Sequence, residues 1–126
     1  MMARGFLAAG ALAMALAVAL GAYAAHATKG AAHPDAAHLL QTAVLYQLVH
    51  GLGVIAVGLA ARTQPSAWLA AAGMLLLVGI ALFCGALWIL AMTGRSLGPV
   101  APTGGMAFIA GWLCLAVAAA TGQNPA

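Results

Sequence analysis

A chain of 126 residues in which 66% of side chains are hydrophobic and 4% charged is not a water-soluble domain, where about a quarter of residues carry charge. Its five charged residues, Arg4, Lys29, Asp35, Arg62 and Arg95, separate apolar runs of about 20 residues, the length that crosses ~30 Å of hydrocarbon. A net charge of +3 from four basic residues cannot build a phosphate-neutralising surface, so nucleic acid is excluded and the lipid bilayer is the expected partner.

The expected fold is all-α, a single integral membrane domain (1–126) of four transmembrane helices over approximately 4–25, 39–61, 67–92 and 104–121. A chain this short leaves almost nothing outside the bilayer, which argues against an enzyme that processes soluble substrates.

The first span opens after Met-Met-Ala-Arg and ends in Ala-Tyr-Ala-Ala-His, a pattern resembling a signal peptide. The apolar run from Gly5 to Ala25 outlasts the usual h-region of about 7–15 residues, so it reads as a retained helix. Ala9, Ala13, Ala17, Gly21 and Ala25 form an i, i+4 ladder of small residues that would let a neighbouring helix approach closely. The segment 26–38 is the longest polar loop, holding His26, His33, His38, Lys29, Pro34 and the only acid, Asp35. Asp35 suits a helix start, where the backbone dipole favours negative charge.

The second span alone carries several polar side chains: Gln41, Thr42, Tyr46, Gln47 and His50. Gln64-Pro65 then turns the chain sharply into the third span, which is long enough to tilt. Gly94, Gly98, Pro99 and Pro102 make the next loop, and Thr103 is placed to cap the fourth span. Charges divide two against two, Arg4 and Arg62 facing Lys29 and Arg95. Arg4, beside the first helix, favours both termini in the cytoplasm. Four such spans would cross the membrane several times.

His50 lies near the middle of its span, at a depth where ionisable groups are costly and face a bundle interior. Tyr46 one turn earlier and Gln47 three residues earlier are placed to join it toward one neighbouring helix. These three, with His26 and Gln41, are the candidate functional residues. As chemistry they would serve a proton, a quinone head group or a partner's cofactor; as packing they would be interhelical hydrogen bonds. No carboxylate lies in a span to complete a proton relay. His26, His33, His38 and Asp35 lack the short fixed ligand spacings of a zinc site. Haem would need inward axial ligands, and only His50 qualifies. No metal and no cofactor is expected. No nucleophile accompanies a His and a carboxylate, so no catalytic residue is assigned. Cys84 and Cys114 sit at different depths in their spans and read as small packing residues. Trp68 suits the membrane interface; Trp88 and Trp112 lie deeper.

Four stretches then carry a resemblance: Gly-Ala-Tyr-Ala-Ala-His at 21–26, Gln-Thr-Ala-Val-Leu-Tyr-Gln-Leu-Val-His at 41–50, Gly-Ile-Ala-Leu-Phe-Cys-Gly-Ala-Leu-Trp at 79–88 and Pro-Thr-Gly-Gly-Met-Ala-Phe-Ile-Ala-Gly-Trp at 102–112. Together they resemble the small inner-membrane family of domain of unknown function 423, the YgdD-like proteins, to which an animal transmembrane protein 256 looks related. The resemblance implies a four-helix membrane protein with His26, Gln41, Tyr46, His50 and Gly104-Gly105 as its characteristic positions, and gives none of them a role. The third span departs from the family pattern: Cys84-Gly-Ala-Leu-Trp stands where a Ser-Gly-Ser-Leu-Tyr stretch is expected, leaving the polar face of the second helix fewer partners. The expected function is a non-enzymatic membrane subunit, either a homo-oligomer or an accessory of a larger complex such as a respiratory one. The alternatives are a small-solute or proton carrier lined by the second helix, and a metal- or redox-handling membrane protein.

Overall fold

The computed structural model describes residues 1–27, 31 and 33–122; Lys29 lies outside them. Four helical spans, Met2–His26, Ala36–Ala61, Ala67–Thr93 and Val100–Thr121, are long and apolar enough to cross a membrane. Even the shortest, at 22 residues, covers about 33 Å at 1.5 Å per residue. In chain order these are α1 (Met2–Ala27), α2 (Ala36–Ala61), α3 (Ala67–Gly79), a π-helical turn (Ile80–Cys84), α4 (Gly85–Thr93) and α5 (Val100–Thr121). The third span is thus α3, the π-turn and α4 run together.

Local chemistry sets the ends. Asp35 occupies the N-cap of α2 without a side-chain hydrogen bond, so its carboxylate acts only through the helix dipole. Ser66 caps α3, its hydroxyl oxygen accepting the Leu69 N–H at 3.1 Å. The third span stops at Gly94, whose φ of 73° is a backbone setting that glycine alone adopts freely, with its N–H donating to the Leu90 carbonyl at 2.9 Å.

The fourth span begins earlier than the sequence pattern indicates. α5 starts at Val100 rather than Gly104, with Pro102 inside its first turn. The first helical N–H groups have no intrahelical acceptor, so a proline there forfeits nothing. Thr103 does not cap the helix; its hydroxyl donates back to the Pro99 carbonyl at 2.7 Å.

α1 lies along α2, α5 lies along α3, and α2 packs in addition on α3, the π-turn and α4, so that α2 is the central helix. The α1–α2 contact is close because glycine removes the side chain where the backbones meet. A Cβ on Gly10 would stand 2.9 Å from the Gly51 carbonyl oxygen, and one on Gly58 would stand 2.9 Å from the Leu7 nitrogen. The buried line on α1 is Phe6, Gly10, Ala17 and Ala24, with the Ala13 Cβ against Gly51. It shares Ala13 and Ala17 with the four-residue ladder but leaves Ala25 exposed, since each step of four overshoots a turn by about 40° and five members drift off one face. The main core joins Phe6, Val54, Val57, Leu69, Leu76, Cys84 and Phe108; a smaller one, toward the other end of α2, joins Ala24, Ala36, Leu40 and Ala91 with Trp88 packed on it. Leu12, Leu16, Leu45, Leu52, Ile109 and Leu113 point outward, as lipid-facing positions require.

Candidate functional site

The site is built on α2, where each residue advances about 100° around the axis. His50 and Gln47 are both buried, 6% and 3% exposed, and they are the buried polar side chains of the described core. They do not share a neighbour. Gln47 turns to α1, its side-chain nitrogen donating to the Ala13 carbonyl at 2.9 Å. His50 and Tyr46 turn to the other flank, toward α5 and the π-turn. The expectation of one polar patch on one neighbouring helix is therefore corrected: about 60° of helical rotation separates Gln47 from His50, enough on a central helix to direct them to different partners.

His50 Nδ1 lies 2.6 Å from the Tyr46 carbonyl oxygen of the preceding turn. A carbonyl only accepts, so Nδ1 carries the proton and, in the neutral ring, Nε2 keeps the lone pair. The imidazole lies flat on Phe108, ring centroids 3.5 Å apart and planes 14° apart. Tyr46 stacks alongside at 5.6 Å and Trp112 approaches at 5.9 Å with a 56° tilt. Phe83, from the π-turn, reaches Tyr46 at 4.7 Å and presents its edge to Phe108 at 5.7 Å. The backbones of α2 and α5 do not run side by side; these five rings fill the space between them. Aromatic pairs in such arrangements contribute about 0.5–1.5 kcal/mol beyond the area they bury.

Gly104 and Gly79 make this cluster possible. A Cβ on Gly104 would collide with the main chain of Phe83, and one on Gly79 with the Phe108 ring. Cys84 adds a polar tie to α2, its thiol donating to the Ala43 carbonyl at 3.3 Å. Trp88 lies instead beside Tyr23 of α1, at 6.1 Å, and its indole nitrogen is enclosed with no acceptor among the described residues.

The remaining candidates lie apart. His26 and Gln41 are exposed. Gln41 lines a cleft of about 440 Å³ between α1 and α2, with Gly21, Ala24, Ala37, Val44 and Leu48. A second cleft, of about 480 Å³, lies at the opposite end between the α2–α3 turn and the end of α5. Neither is lined by Tyr46, Gln47 or His50. His33 accepts the Asp35 N–H on its Nδ1 at 3.1 Å. No group of three or more His, Cys, Asp or Glu side chains converges as metal ligands among the described residues.

Residues 20–105 match the family model described as "Protein of unknown function (DUF423)". The chain belongs to this family. Among DUF423 relatives, the UPF0382 membrane protein of Staphylococcus haemolyticus is 41% identical over 89% of this chain and 92% of its own. The UPF0382 membrane protein YwdK of Bacillus subtilis is 40% identical, over 90% of this chain and 94% of its own. The UPF0382 inner membrane protein YgdD of Escherichia coli is 34% identical, over 81% of this chain and 79% of its own. No solved structure matches. These relatives and the four apolar spans agree on a DUF423 protein that crosses the membrane several times, and the inner membrane is where YgdD's name places that relative.

The sequence marked Tyr46, Gln47 and His50 by their polarity. Trp112 stood out only as a tryptophan deep in its span, and Phe83 and Phe108 carried no mark, being apolar residues from distant spans whose composition matches that of lipid-facing positions. A search for aromatic residues near mid-depth in every span would have found them.

Proposed function

We propose that this DUF423 protein is a non-enzymatic membrane subunit, acting as a homo-oligomer or as an accessory packed against a larger membrane complex. The observation that carries the reading is the fate of its inward polar groups. Gln47, the His50 Nδ1–H and the Cys84 thiol each donate to a main-chain carbonyl, and the His50 ring is stacked against aromatic neighbours. The Gln47 and Cys84 bonds cross between helices, where such bonds hold a membrane bundle together at about 0.6 kcal/mol each, whereas the His50 bond returns to its own helix and His50 reaches α5 through its stacked ring. The large hydrophobic residues exposed on α2 and α5, among them Leu45, Val49, Leu52, Met106, Ile109 and Leu113, suit lipid or another apolar helix.

Replacement of His50 by Gln tests it. The subunit reading expects a phenotype near that of the parent in cells lacking the native copy. Full loss of cellular function with normal folding and membrane insertion would overturn it. Solute or proton uptake into proteoliposomes, abolished by His50→Ala, would replace it with a carrier.

A further inference from the structure

The third span keeps one face inward by an unusual step. Its inward line runs Leu69, Ala72, Leu76, Gly79 and then Cys84 and Ala91; Gly73, next to Ala72, is buried as well, and Ala86, also buried, falls on another side. The intervals are three, four and three, then five, then seven. In an α-helix five residues advance about 500°, which would turn Cys84 some 140° away from Gly79. The π-turn at Ile80–Cys84 falls across this interval, and its i→i+5 hydrogen bonding brings the fifth residue back beneath the first.

The two halves joined by the turn serve different neighbours. On the α3 side, Gly73 receives the Phe6 ring, Gly79 receives the Phe108 ring and Leu76 meets Gly111. On the α4 side, Ala91 and Trp88 pack with Ala24, Ala36 and Leu40 of α1 and α2, while contact with α5 largely ends. We infer that the third span carries one residue more than its packing requires and that the surplus is stored in the π-turn, so that the span can lose one residue there without unseating either half. This goes beyond the subunit reading and does not depend on it.

Single-residue deletions test the inference. Ala81 is exposed within the turn; deleting it makes Gly79 and Cys84 an i, i+4 pair, so a plain α-helix would keep both on the inward face. Met74 is exposed in α3, at 55%; deleting it puts the flanking segments about 100° out of phase. Both deletions are made in a Cys114→Ala chain, so that Cys84, 2% exposed, is the one remaining thiol. Unfolding midpoints and maleimide labelling are then measured in detergent. Deletion of Ala81 is expected to give an unfolding midpoint near the parent's and a protected Cys84, whereas deletion of Met74 lowers the midpoint and exposes the thiol or prevents recovery of folded protein. An Ala81 deletion as damaging as the Met74 deletion, or one that exposes Cys84, would overturn the inference.

Discussion

At the scale of single residues, the interior polar groups behave as packing groups, and their energies differ by kind. Gln47 makes one hydrogen bond to a carbonyl of α1. Replacing it with Leu should cost no more than about 1 kcal/mol of unfolding free energy in detergent, since interhelical bonds in membranes average about 0.6 kcal/mol. Phe108 is 3% exposed and touches His50, Tyr46 and Phe83. Phe108→Ala should cost about 3–5 kcal/mol, the range for emptying a buried phenylalanine site. The reverse order of the two losses would mean that the hydrogen bond, not the stacked rings, holds the helices. His50 was legible from sequence because a histidine at mid-depth stands out among apolar neighbours. Its partners were not, because a phenylalanine facing lipid and one facing a core read alike.

At the scale of the helices, close approach is set by a few glycines, and neighbouring glycines differ sharply. Gly104 meets the Phe83 main chain, whereas the nearest atom to a Cβ on Gly105 is the Phe83 ring at 4.0 Å. Gly104→Ala should therefore lower the unfolding midpoint clearly while Gly105→Ala leaves it nearly unchanged. Equal effects would show that this segment of α5 does not sit against the π-turn as described. The number of spans was readable because charges, Pro65 and the Gly94–Pro102 segment punctuate the apolar runs. Two features escaped. The start of α5 was hidden because Pro102 reads as a helix breaker although it is harmless in a first turn. The π-turn was hidden because helical phase is normally read from the contrast between a polar and an apolar face, and a membrane span has little such contrast.

At the scale of the whole molecule, α2 stands at the centre with α1 on one flank, the third span against it and α5 joined to it through aromatic rings. Its deepest polar groups tie it to its own neighbours, and its outer residues Leu45, Val49, Leu52 and Leu59 remain exposed. Gln47, His50 and Cys84 are engaged by the bundle's own helices while its outer surface carries many large hydrophobic residues, which is the basis for proposing it as a subunit. Native mass spectrometry tests this most directly, on untagged protein released from its own membrane in a mild detergent. The account predicts a mass corresponding to two or more copies, or to one copy bound to other membrane proteins. A bare monomer, in preparations where known membrane complexes of the same cells stay intact, would contradict it.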